Sequence, residues 1–172
     1  DPAYGKYHWT GHRNCKVAAS PQEAIRLGNI CPVCRRKLTK GVEQRVEELA
    51  DRPTGFTPES AMGFMRLLPL SEIIATVLNL DSPSTQKVWS IYNSLIEKFG
   101  DEYTVLIDAS VDALSRVADE RIAEAIVRVR EGRVKVAPGY DGVYGRLVLS
   151  ADESAEKPAP ERVQQLNLSD FL

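Results

Sequence analysis

Three cysteines and two histidines are the metal-capable residues of this 172-residue chain, and all five fall between positions 8 and 34. His12 and Cys15 are separated by two residues, as are Cys31 and Cys34. Two intervening residues let a tight turn aim both side chains into one tetrahedral shell, with backbone N–H groups supporting the thiolates. An odd number of closely spaced cysteines does not make a disulfide framework. Arg35, Arg36 and Lys37 follow the second pair and favour the thiolate form. All four donors are nitrogen or sulfur, so the expected ligand is one zinc ion in a closed, structural site with no position left for catalysis. Two alternatives stand beside this one. Cys31 and Cys34 could be a redox dithiol, and His8 could replace His12 as the fourth ligand.

Cations surround these residues. Lys6, Arg13, Lys16, Arg35, Arg36, Lys37 and Lys40 lie in or beside the two knuckles, and Tyr4, Tyr7 and Trp9 are interleaved with the first of them. Charge with aromatic neighbours suits a sugar-phosphate backbone and a splayed base. Lys40 and Arg45 flank the start of the next helix, where an N-terminus favours phosphate. Tyr140 lies in the glycine-rich run 138–145, a loop that could approach DNA or serve as a tight hairpin. The expected DNA-contacting set is therefore Arg13, Lys16, Arg35, Arg36, Lys40, Arg45 and Tyr140. Against it stands the ordinary reading of a charge run as solvated surface.

The net charge of -2 suggests no bulk attraction to nucleic acid or membrane, but it averages unlike halves. Residues 1–45 carry nine Lys/Arg against three Asp/Glu, a net of +6, and the remainder carries a net of -8. At 43% hydrophobic and 27% charged, the chain has the composition of a soluble globular protein. It has no apolar run of membrane-spanning length. Neither a signal peptide nor a disulfide framework is expected, so the predicted location is a reducing, cytoplasmic (nucleoid-associated) compartment. The opening Asp1-Pro2-Ala3-Tyr4-Gly5 reads as the middle of a longer protein.

The elements that must position these residues are mostly helical. Ser20-Pro21 begins a short helix through Leu27 that Gly28 ends. Residues 41–52 make a second, with Val42, Val46, Leu49 and Ala50 on one face. Pro53 to Pro58 is a loop. A helix runs from Pro69 to about Leu80, and Ser82-Pro83 caps another that ends at Gly100. Tyr103 to Ile107 is a strand or a helical turn. Residues 111–130 are helical with a break near Ala118-Asp119. Residues 134–136 and 144–149 alternate as two strands of a hairpin. The predicted fold is α+β: mainly α, with a small zinc-ribbon-like module and a short C-terminal β-hairpin. The expected division is a zinc module at 1–40, a helical DNA-gripping domain at 41–150, a disordered linker at 151–164, and a binding tail at 165–172.

That tail reads Gln165-Leu166-Asn167-Leu168-Ser169-Asp170-Phe171-Leu172. One helical turn would gather Leu168, Phe171 and Leu172 into an apolar plug, with Gln165 at its rim. The four positions Gln165, Leu168, Phe171 and Leu172 resemble the PIP box, the segment that binds the PCNA sliding clamp. The two residues between Leu168 and Phe171 fit the archaeal and eukaryotic form. A tail folded back on its own domain is the alternative.

Several segments together resemble the C-terminal half of endonuclease Q: Gly5-Lys6-Tyr7-His8, the two knuckles, Leu38 to Val42 running into Arg45 to Arg52, Leu68 to Ile74, and Pro138 to Gly145. The resemblance covers residues 4–149. It implies a DNA repair endonuclease that nicks 5′ of deaminated bases (uracil, hypoxanthine) or of abasic sites. It implies a metal-dependent catalytic PHP domain on the N-terminal side, followed by a zinc module and helical region that grip damaged double-stranded DNA. In archaeal members it implies work with PCNA. His12 stands where archaeal relatives tend to have cysteine, an exchange that zinc tolerates. The departure that matters is that PHP chemistry needs a cluster of His and acidic ligands, and this chain has two histidines and no His-x-His pair. No phosphate loop, Ser/His/Asp set or flanking acid pair is present either. Asp119-Glu120 and Glu47-Glu48 read as helix-surface acids. No catalytic residue is expected, and the chain alone should not cut DNA. The competing reading is a non-enzymatic zinc adaptor recruited to the sliding clamp.

Overall fold

The computed structural model describes residues 1–53 and 55–149. The linker expected at 151–164 and the clamp motif of Gln165, Leu168, Phe171 and Leu172 lie outside the described residues. The fold is α+β and mostly helical, with two small antiparallel hairpins. No helix among the described residues is long and apolar enough to cross a membrane.

The N-terminal part is built around β1 (Thr10–His12) and β2 (Val17–Ala19), paired antiparallel. α1 (Pro21–Arg26) follows with a complete capping box: Ser20 accepts from the Glu23 N–H while the Glu23 carboxylate accepts from the Ser20 N–H. α2 (Val42–Leu49) packs on α1 and β1. The expected apolar face of α2 points the other way. Val42, Val46 and Leu49 are exposed, whereas Gln44 is fully buried. The reason is a polar core: the Thr10 hydroxyl donates to Gln44 Oε1 (2.5 Å), and Gln44 Nε2 donates to Asn29 Oδ1 (2.9 Å). The Thr10 oxygen in turn accepts from the Gly41 N–H, and among the described residues no buried side-chain N or O lacks a partner.

The helical body follows residue 68. α3 (Leu70–Val77) buries Leu70, Ile73 and Ile74, one stripe at helical spacing. α4 (Gln86–Phe99) is capped by Thr85 rather than by Ser82, whose hydroxyl accepts from the Ser84 N–H in the preceding turn. Glu102 joins these two helices: it accepts from the Leu70 N–H (2.7 Å) and from the Tyr92 hydroxyl (2.9 Å). Residues Thr104–Asp108 form a π-helical turn, which decides between the strand and turn readings. Arg130 explains why. Its guanidinium donates to the carbonyls of Val105, Leu106 and Ala109, the acceptors a helix end leaves without partners. α5 (Val111–Ser115) and α6 (Glu120–Arg130) are separated at the expected break, where Asp119 caps α6. β3 (Lys135–Ala137) and β4 (Arg146–Val148) pair with Val136 opposite Leu147, and Leu147 plugs into the core.

Candidate metal centre and nucleic-acid face

His12 ends β1, Cys15 closes a 3₁₀ turn (Arg13–Cys15), and Cys31 and Cys34 bracket a turn after α1. The two knuckles end alike in a left-handed residue, though one turn is closed by an i to i−3 and the other by an i to i−4 hydrogen bond. Lys16 N–H donates to Arg13 O and Arg35 N–H donates to Cys31 O, and both residues are left-handed (φ 51° and 64°). Each chain thus reverses directly after its second cysteine, turning both pairs toward one point. One donor atom from each of His12, Cys15, Cys31 and Cys34 lies within 4.8 Å of all the others. Tetrahedral zinc, with bonds of about 2.0–2.3 Å, draws such donors to roughly 3.5 Å apart. The His12 Nδ1–Cys34 Sγ separation is already 3.3 Å.

The electrostatics fit a cation. Removal from water, and then the sulfurs of Cys34 and Cys31, push the Cys15 thiol up to about 11. The Arg36 backbone N–H pulls Cys34 below the ordinary thiol value, outweighing the cost of its own desolvation. A divalent ion bound here would offset the mutual repulsion of closely placed thiolates. His8 is not part of the cluster: its Nε2 faces Glu43 Oε2 at 3.3 Å. Nor do Cys31 and Cys34 form an isolated dithiol, since Cys15 and His12 converge on them. Among the described residues no other His, Cys, Asp and Glu cluster gathers in this way.

The predicted DNA-contacting residues divide into three groups. Arg13, Lys16, Arg35 and Arg36 are exposed on the two knuckles. Lys40 (2.7 Å) and Arg45 (3.2 Å) both pair with Glu48, whose carboxyl they hold below its ordinary value, Lys40 most strongly. Tyr140 is half-buried with its ring against Gly11, where an added Cβ would lie 2.5 Å from Tyr140 Cδ2 and from Val17 O.

Solved structures then give the comparison that matters. The crystal structure of the lesion-specific endonuclease PfuEndoQ from Pyrococcus furiosus superposes with a TM-score of 0.73 at 33% identity, covering 99% of this chain and 39% of that one. The chain is similar to endonuclease Q along its whole length. A second endonuclease Q structure, in complex with a 27-mer duplex carrying an abasic lesion at the active site, matches with a TM-score of 0.74 at 32% identity, covering 100% of this chain and 40% of that one. Residues 69–133 match the family described as MJ0043 C-terminal domain. The uncharacterised protein MJ0043 of Methanocaldococcus jannaschii is 35% identical over 147 residues, which are 86% of this chain and 18% of that protein. The uncharacterised protein YqxK of Bacillus subtilis is 29% identical over 148 residues, 86% of this chain and 34% of that protein. The chain therefore spans about two fifths of the endonuclease Q structures and less of the other two proteins.

One tie in this endonuclease Q-like chain escapes sequence reasoning. The Asp141 carboxylate accepts from the backbone N–H of Arg13, inside the first knuckle, at 2.7 Å. Partial burial would raise its pKa, but the Thr39 hydroxyl, the Arg13 N–H and the nearby Arg13 charge prevail and hold it low. Asp141 and Gly142 have φ of 42° and 87°, the mirror-image turn that an Asp-Gly pair prefers. That dipeptide flags a hairpin. Nothing local in the sequence tells that its tip docks 128 residues away.

Proposed function

We propose that this chain is the non-catalytic, DNA-gripping part of a repair endonuclease acting on deaminated bases or abasic sites, and that its structural metal is zinc. The observation that carries the reading is likeness over the whole chain to endonuclease Q, including a form bound to a lesion-bearing duplex. The donor set supports a structural role, because four N and S ligands leave no coordination position for chemistry. The exposed cations of the knuckles, Arg13, Lys16, Arg35 and Arg36, are the phosphate-contacting face, together with Lys40 and Arg45, which pair with Glu48. Tyr140 acts from beneath, fixing the 140–143 turn. Nicking belongs to a PHP catalytic domain outside this chain. The site of action is the cytoplasm, at the nucleoid.

The tail at 165–172 tethers the protein to PCNA. Tethering through a short linker raises the local concentration near clamp-threaded DNA to the order of millimolar. The test is anisotropy of a labelled duplex with one abasic site against the zinc-loaded chain, across a salt series. Binding that weakens steeply with salt, without strand nicking in magnesium or manganese, is the expected result. No binding at low salt would overturn the DNA reading in favour of the adaptor. Calorimetric titration into a PCNA ring separates the tether: Phe171→Ala should abolish binding there while DNA affinity is retained.

A further inference from the structure

Four backbone hydrogen bonds tie segment 3–9 to segment 139–145. The Trp9 N–H donates to Gly139 O, Gly139 N–H to Ala3 O, Gly142 N–H to Lys6 O and Gly145 N–H to Tyr4 O, at 2.8–3.0 Å. Gly139 and Gly145 have no room for a side chain, since a Cβ at either would meet backbone atoms at 2.5 Å. The result is a closely packed double layer of backbone.

On that layer the Lys6 ammonium sits between two rings, 5.8 Å from the centroid of Tyr7 and 5.7 Å from that of Tyr144. Tyr4 backs Tyr144 at 6.2 Å. Tyr7 and Tyr144 are nonetheless 46% and 59% exposed. Arg13 completes the group: its Nη1 and the Tyr7 hydroxyl lie 3.3 and 3.7 Å from the point where a Cβ on Gly142 would stand. The acid of this turn, Asp141, is spent on the Arg13 N–H and on Thr39, so its carboxylate is tied inward.

Two half-exposed aromatic rings on a rigid base, with an ammonium between them and a guanidinium alongside, match the chemistry of unpaired nucleotides. Each base offers a face to stack, and each linking phosphate an anion. Paired duplex keeps its base faces within the stack. We infer that Tyr7 and Tyr144, with Lys6 between them, form a stacking platform for unpaired nucleotides of DNA, next to the duplex-gripping cations and sharing Arg13 with them. This deepens the DNA reading above and rests on it.

The test compares anisotropy of the full zinc-loaded chain on an intact duplex and on the same duplex with a gap of several nucleotides. The expected result is tighter binding to the gapped DNA by about tenfold, within the range one stacked base supplies. Tyr7→Leu with Tyr144→Leu should erase that preference without changing affinity for intact duplex. Tyr144→Phe and a distant control, Tyr103→Leu, should keep it. Equal affinity for both DNAs, or a preference surviving in the double leucine variant, overturns the platform while the duplex reading stands. Failure to bind either DNA overturns both.

Discussion

The head (residues 1–49) and the helical body (residues 68–149) solve the problem of cohesion in different ways. The body buries Leu70, Ile73, Ile74, Leu95, Leu114, Ile122 and Ile126 completely, in one continuous apolar cluster. The head buries Ala19, Ala24, Cys31 and Leu38 and places Thr10 and Gln44 where a core would hold aliphatics. Aliphatic burial is worth about 1.5–3 kcal/mol per large side chain, whereas a satisfied hydrogen bond nets about 1 kcal/mol. In a head of this composition, a metal held by His12, Cys15, Cys31 and Cys34 would act as a brace. The same economy leaves the apolar stripe of α2 outside and lets the head's surface be given over to charge.

Breaking the brace should have the largest effect. Structural zinc contributes about 10–16 kcal/mol of apparent binding energy in small modules. Chelation, or Cys31→Ala, should therefore strip amide-exchange protection from Gly11, Arg35, Leu38 and Thr39 while α3, α4 and α6 keep theirs. Loss of protection in both regions would show that they melt as one unit. A core truncation cuts the comparison the other way: Ile126→Ala should cost about 2–5 kcal/mol of body stability in a denaturant titration and leave metal stoichiometry unchanged.

Smaller effects sharpen the contrast. Gln44→Ala removes the acceptor of the buried Thr10 hydroxyl and the donor to Asn29. It should cost about 1–3 kcal/mol in the head, read as weaker retention of zinc against a competing chelator. The smallest belongs to the body: Asp119→Ala deletes the α6 cap and should lower the urea midpoint slightly. The Arg121 side chain, then its N–H, hold the Asp119 carboxyl below its ordinary value. The capping contribution is thus complete above the unfolded carboxyl's pKa and is lost as pH falls through the folded value. Urea midpoints of parent and variant should converge in acid and separate toward neutrality.

Local chemistry made much of this legible in the sequence. The two x2 knuckles, Ser20-Pro21, Gly100, the break before Asp119 and the Asp-Gly hairpin each depend on neighbours a few residues away, so their geometry is written where they stand. The helix cap at Thr85 in place of Ser82 was not, because two hydroxyls three residues apart compete and the turn before the helix claimed one. The inward side of α2 was not either. Val42, Val46 and Leu49 have the period of a buried stripe, and only the presence of Thr10 and Asn29 opposite Gln44 turns that helix over. Choosing His12 over His8 needed the position of Glu43, and Arg130 over the π-helical turn needed the packing of α6. The sequence determined which residues could ligate a metal and which turns would form, through short-range sterics and hydrogen bonds. The tertiary structure alone decided which charges found partners and which rings stayed on the surface, because those outcomes depend on contacts between segments as far apart as Arg13 and Asp141.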